Sequence, residues 1–98
     1  MSNQEFSGHQ SFVVLSSAFR RVEFGTAQFG QGEMNAILVK FNSGVEYIYL
    51  GVPQDVYLRL LQLVQDHIET AGSIRVGAPF NMALFQRFPC YARLNTNI

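Results

Sequence analysis

The chain has 98 residues, no net formal charge and one cysteine. This length predicts a single domain, the balanced charge argues against a general positive field that would hold long nucleic acid, and a lone cysteine excludes an intrachain disulfide. The chain has no run of about 18 apolar residues that would span a membrane, and its start lacks the basic and apolar regions of a secretory signal, so we expect a cytoplasmic protein.

The first third of the chain is predicted to contain a tail, two short strands and a loop. Residues 1–10 are small and polar, which is typical of a flexible tail, and we expect one domain over residues 11–98. Aromatic and β-branched side chains favour strands over Ser11–Leu15 and Ala18–Phe24, joined by a turn or bulge at Ser16–Ser17. The glycine-rich segment Gly25–Gly32 predicts a mobile loop or a long hairpin connection.

The middle of the chain predicts a β-hairpin. Met34–Phe41 and Val45–Leu50 alternate as half-buried strands do, and Asn42–Gly44 between them contains a glycine that can take positive φ. Tyr47 and Tyr49 fall on the apolar face of this hairpin, which indicates rings packed under a helix. The apolar partners on that face are Ile37, Val39 and Phe41.

An amphipathic helix is predicted after the hairpin. It begins at Pro53, which suits the first helical position, and Asp55 adds a carboxylate to the first turn. It ends near Thr70 or Ala71, where Gly72 provides the C-terminal stop. The apolar stripe on this helix consists of Tyr57, Leu60, Leu61, Val64 and Ile68.

The remaining segments complete an α+β prediction. Ser73–Pro79 is irregular, Asn81–Phe88 predicts a short helix with its first residue as N-cap, and Pro89 ends it. Cys90–Leu94 closes the sheet or lies along it. We therefore predict a small antiparallel sheet of three to five strands, packed against one main helix, with a short C-terminal helix.

Several segments, in this order, carry a family resemblance that extends from about Val13 to Leu94. They are Ser16-Ser17, the LVKF strand, Asn42-Ser43-Gly44, Tyr47-Ile48-Tyr49, Val52-Pro53, Val56-Tyr57, Phe80-Asn81 and Phe88-Pro89-Cys90-Tyr91-Ala92-Arg93-Leu94. In these segments the chain resembles the KTSC domain, a module found at the C-terminus of some lysyl-tRNA synthetases and alone in small bacterial proteins. The resemblance implies a small α+β fold and, through the synthetase context, a role in binding RNA.

Residues that could support catalysis or metal binding are few and scattered. His9, His67 and Cys90 lie in different segments, so three metal ligands do not converge. Ser16–Ser17 and Cys90 lack both a Gly-x-Ser-x-Gly sequence and an oriented histidine. We expect turn serines, a buried cysteine and a histidine at the border of the helix stripe. The prediction is a protein without catalytic residues, metal or cofactor.

The candidate ligand-binding residues are basic and aromatic, because arginine forms bidentate contacts with phosphate and aromatic rings stack on bases. They are Arg20, Arg21, Tyr47, Tyr49, Arg87, Tyr91 and Arg93. Adjacent residues of a regular strand point to opposite faces, so we expect only one of Arg20 and Arg21 to join a given site. Arg87 and Arg93, with Tyr91 between them, suggest an aromatic-basic pocket.

Two functional hypotheses follow. The first is a non-catalytic module that binds a nucleotide-type ligand, either an RNA segment or a small nucleotide; a phage or host protein that sequesters a nucleotide signal is one concrete form. The second is a protein–protein interaction or oligomerisation module, in which Phe6 and Phe29, set in polar surroundings, mark an exposed interface.

Overall fold

The computed structural model describes residues 5–93, with only the backbone described for Glu5, Phe29 and Arg93. Within this range one antiparallel sheet of five strands has the order β1-β2-β3-β4-β5. The strands are β1 (Glu5–Val13), β2 (Phe19–Phe29), β3 (Gly32–Phe41), β4 (Glu46–Leu50) and β5 (Cys90–Arg93). The helices are α1 (Gln54–Glu69) and α2 (Gly77–Phe80), and α2 continues into a π-helical turn (Asn81–Phe85). The predicted α+β fold is confirmed.

The central strand β3 is buried on both faces of the sheet. Ile37 and Val39 point into the core of the first face, while Ala36 and Leu38 belong to a smaller core on the second face. The first-face core also contains residues of α1 and of the C-terminal helical segment, among them Leu60, Val64, Phe80 and Leu84. On the second face the small core is completed by Ala27 and Ile48, with Phe6, Leu50 and Tyr91 packed against it.

The predicted flexible tail is wrong for residues 5–10, which form most of β1; residues 1–4 lie outside the described part of the chain. β1 is an edge strand, and its side chains between Ser7 and Ser11 are exposed, so its sequence resembles that of a tail. Phe6 is half-buried against the second-face core rather than standing exposed, and the side chain of Phe29 is not described.

The predicted loop over Gly25–Gly32 is also wrong. β2 continues to Phe29 and pairs with β3 as far as Gly32, so only a two-residue turn joins the strands. Gly30 opens this turn with φ +66°, the conformation that a type II′ hairpin requires at its first loop position. The backbone of Ser7 lies so close to Gly25 that a β-carbon there would overlap the Ser7 carbonyl oxygen.

The predicted hairpin of β3 and β4 is confirmed in register and facing. Tyr49 pairs with Ile37 and Tyr47 with Val39. In the connecting loop the N–H of Gly44, at φ +98°, donates to the carbonyl of Phe41 at 2.9 Å. A glycine at positive φ after a tight turn is the usual geometry of a three-residue hairpin loop.

Helix α1 agrees with its prediction to within one or two residues at each end. Pro53 is the residue before the helix rather than its first member. At the other end the N–H of Gly72 donates to His67 and that of Ala71 to Ile68, a Schellman motif. Ala71, at φ +54°, and Gly72, at φ +94°, both have positive φ, so the helix stops at the predicted place.

The buried stripe of α1 ends on a histidine. The fully buried side chains are Leu60, Val64 and His67, whereas Ile68 is 45% exposed. The predictions of Ile68 in the stripe and His67 at its border are therefore wrong. His67 is tolerated in the core because both of its ring nitrogens bond to backbone groups.

The C-terminal helical segment begins earlier than predicted. α2 starts at Gly77, so Asn81 lies inside the helical run with φ −60° and is not an N-cap. The ring of Phe85 stacks on Tyr49 with centroids 5.3 Å apart. β5 pairs with β4 and closes the sheet, and Leu94 lies outside the described residues. None of the helices within residues 5–93 has the length and hydropathy needed to cross a membrane.

Candidate anion-binding site

A β-bulge interrupts the pairing of β2 with β3 near one end of the sheet. Phe19 pairs with Phe41, and the next pair joins Arg21 to Lys40. Arg20 is therefore an extra residue, and such an insertion bends the strand and redirects its side chains.

A depression of about 290 Å³ beside the bulge is lined by Arg20, Arg21, Lys40 and Val13. We call it the basic depression. The expectation that only one of the two arginines joins a given site is wrong, because the alternation of facing holds for a regular strand and fails at a bulge. Lys40 is not among the residues predicted from the sequence; its cross-strand register with Arg21 is the signal that would have identified it.

Two glutamates on the same face of the sheet are strand neighbours of the basic residues, although neither lines the basic depression. Glu46 pairs with Lys40 across β3 and β4, and it is half-buried. Glu23 shares the second face with Arg21, but its carboxylate leans against the backbone of Gly8, where a β-carbon would collide with it. The three cations of the depression therefore outnumber the acidic groups beside it, although the chain as a whole is neutral.

The two tyrosines of β4 lie on the other face of the sheet from the basic depression. Tyr49 is 5% exposed, and its ring stacks on Phe85 at an interplanar angle of 29°. Burial raises the pKa of the Tyr49 phenol, and the charge and hydrogen bond of Cys90 raise it further. Tyr47 is half-buried, with its ring edge-on to Phe41 at 5.7 Å. Tyr49 is part of the first-face core, and Tyr47 packs against it.

The other three candidate residues are divided between segments. Arg87 is exposed in the turn after the π-helical segment, which covers the first face. Tyr91 packs against the small core of the second face. The backbone of Arg93 pairs with Glu46, and its side chain is not described. Arg87 and Tyr91 therefore lie on opposite faces of the sheet.

A second depression of about 390 Å³ lies where the β1–β2 loop meets the chain that follows α1. We call it the serine–arginine depression. Its lining residues are Leu15, Ser16, Ser17, Gly72, Arg75, Val76, Gly77 and Ala78. Ser16 Oγ accepts a hydrogen bond from the N–H of Ala18 at 3.2 Å, which confirms the predicted turn between the two strands.

A third, apolar depression of about 160 Å³ lies between these two. It shares Val13 with the basic depression and Leu15 with the serine–arginine depression, and Ile68 and Ala71 contribute to it. Val13 is 67% exposed and Leu15 is 72% exposed. We refer to these three depressions, which are linked by shared lining residues, as the groove.

His67 lines the apolar depression, but it is 1% exposed and both of its ring nitrogens bond to backbone groups. Cys90 is exposed on the edge strand β5, so the prediction of a buried cysteine is wrong. Within residues 5–93 no three His, Cys, Asp or Glu side chains are grouped as metal ligands.

The fold and the groove define a small α+β protein with a candidate anion site. Comparison with protein-family models, with curated proteins and with solved structures gives no match to this chain. The resemblance to the KTSC domain therefore stays a prediction that rests on the segments named above.

Proposed function

We propose that the protein is a non-catalytic binding module for a nucleotide-type ligand, and that the basic depression receives a phosphate of that ligand. The observation that carries this proposal is the convergence of Arg20, Arg21 and Lys40 on one depression. Two adjacent guanidinium groups offer planar, bidentate donors that match phosphate oxygens, and a nearby ammonium adds charge.

The size and charge of the site favour a small nucleotide over a long RNA. The chain has seven basic and seven acidic residues, so it lacks the broad positive surface that binds many phosphates. The module is proposed to sequester its ligand without transforming it, because both ring nitrogens of His67, the histidine that lines the groove, are engaged by backbone groups.

A thermal-shift screen against mono-, di- and cyclic nucleotides tests this proposal. We expect a rise in melting temperature with at least one nucleotide, since a ligand that binds only the folded state stabilises it. The double variant Arg20→Ala/Arg21→Ala should lose the rise. Arg59→Ala, on the exposed side of α1, should keep it and serves as the matched control.

Arg87→Ala separates the basic depression from the pocket that the sequence predicted. The proposal requires this variant to bind as the unaltered protein does. A loss of the thermal shift in Arg87→Ala, with no loss in the double arginine variant, would mean that the ligand binds near Arg87 and not in the basic depression.

A second candidate is self-association through the β1 edge, favoured by the exposed Val13 and Leu15 beside that edge. The outer backbone groups of an edge strand can pair with a second copy of the chain, and the sequence of β1 has Glu5 at its first position but no Lys, Arg, Asp or Glu over residues 6–13 to oppose it. Light scattering that shows a dimer, and a monomer for Leu15→Ser, would support this candidate.

A further inference from the structure

We infer that the ligand has two anionic groups separated by an apolar or planar body, and that it lies along the whole groove, as a dinucleotide would. This inference rests on the proposed function, since it places one phosphate in the basic depression. It adds the serine–arginine depression as the second phosphate site and the apolar depression as the floor between them.

The serine–arginine depression combines the groups that a second anion needs. Arg75 supplies a guanidinium, and the hydroxyl groups of Ser16 and Ser17 supply further hydrogen-bond donors. Gly72 and Gly77 lack side chains in its wall, so a ligand can approach the backbone closely. At Gly77 a β-carbon would stand 3.7 Å from Ser16 Oγ.

The floor between the two charged ends is apolar and open. Val13 and Leu15 are two residues apart in sequence, a spacing of about 7 Å for extended chain. Their side chains are largely exposed, and Ile68 stands beside them. A nucleobase or ribose placed there would cover apolar surface that is otherwise in water, which favours binding.

His67 holds the walls of this groove in place. Its Nε2 accepts the N–H of Leu15 at 3.0 Å, and its Nδ1 donates to the carbonyl of Ile74 at 2.6 Å. One buried ring therefore ties both the β1–β2 loop and the residue before Arg75 to the end of α1. A groove whose walls are already fixed loses less conformational entropy when a ligand binds.

The charges around the groove favour anions at its two ends. Arg20, Arg21 and Lys40 lie at one end and Arg75 at the other. Glu69, at the end of α1, lines a neighbouring depression that shares Ile68 with the apolar depression. Positive charge at the ends only, in a neutral chain, suits two separated phosphates better than a continuous polyanion.

Calorimetric titration with AMP and with the diadenylate pApA tests the inference, because pApA carries phosphates on both sides of a nucleoside. We expect the unaltered protein to bind pApA more tightly than AMP. Arg75→Ala should weaken pApA binding by about tenfold, the usual effect of losing a charge-assisted hydrogen bond, and should leave AMP binding within twofold. Arg21→Ala should weaken both, and Arg59→Ala neither.

The outcomes separate this inference from the proposed function. Equal binding of AMP and pApA, with Arg21→Ala weakening both and Arg75→Ala neither, overturns the two-phosphate ligand and leaves the basic depression in place. If Arg75→Ala loses AMP binding and Arg21→Ala does not, the first phosphate binds in the serine–arginine depression. That result overturns both proposals. A twelve-nucleotide RNA that binds far more tightly than pApA overturns the choice of a dinucleotide.

Discussion

At the scale of single residues, His67 links three parts of the fold through one ring. A backbone N–H can only donate and a backbone carbonyl can only accept, so the contacts to Leu15 and Ile74 require a neutral ring with its hydrogen on Nδ1. The ring is 1% exposed, so water does not replace these bonds. The histidine thus supports both the core and the groove.

We expect His67→Phe to lower the free energy of unfolding by about 2 kcal/mol, because the new ring preserves volume but leaves a backbone N–H and a carbonyl without partners. Chemical denaturation measures the change. His9→Phe is the matched control, since His9 is exposed, and it should change stability by less than about 0.5 kcal/mol. Equal effects of the two substitutions would contradict the linking role of His67.

The raised pKa of the Tyr49 phenol predicts that the protein loses stability at alkaline pH. Burial, with the contribution of Cys90, raises its pKa in the folded protein above the value of about 10 of an unfolded chain. Above that pH the unfolded chain binds fewer protons than the folded one. The free energy of unfolding should therefore fall as pH rises, by at most about 1.4 kcal/mol per pH unit for one proton.

Denaturation midpoints measured from neutral to alkaline pH check this expectation. Tyr49→Phe should remove part of the alkaline fall, and the rest belongs in part to Tyr57, whose pKa burial also raises. An alkaline fall of the same size in Tyr49→Phe would show that the Tyr49 phenol does not contribute to it.

At the scale of elements, the shape of the sheet depends on where glycine and bulges interrupt β1 and β2. Gly25 lies directly against the backbone of Ser7, and the pairing of β1 with β2 shifts between Gly8 and Gln10. The second shift, at Arg20, creates the basic depression. Both irregularities bend the sheet and decide which side chains share a surface.

We expect Gly25→Ala to destabilise the protein by about 2 kcal/mol or more, because the added carbon overlaps a carbonyl oxygen and the strands must separate. Gly77→Ala is the matched control, since a β-carbon there makes ordinary contact at 3.7 Å and the residue is helical. Denaturation curves measure both. A harmless Gly25→Ala would mean that β1 is not held against β2 at this point.

At the scale of the whole molecule, the basic residues are unevenly distributed, although the chain has no net charge. With Arg20, Arg21 and Lys40 on one phosphate, nucleotide binding should weaken with added salt. The slope of log affinity against log salt should be negative, because salt screens the attraction between exposed charges. Titrations of AMP over a range of salt concentrations measure it.

Lys40→Gln should make this slope shallower and Arg59→Ala should not, because Arg59 is outside the groove. A slope near zero for the unaltered protein would exclude the basic depression as the main source of binding energy.

The sequence by itself determined the elements that local patterns specify. Alternation placed Tyr47 and Tyr49 on the inner face of the hairpin, and the helical stripe predicted α1, because both periodicities follow from backbone geometry alone. The tertiary structure decided what depends on contacts between distant residues: the strand over residues 5–10, the burial of His67, and the meeting of Arg20 and Arg21 with Lys40. Those outcomes depend on strand register and on partners far away in the chain, which no local pattern records.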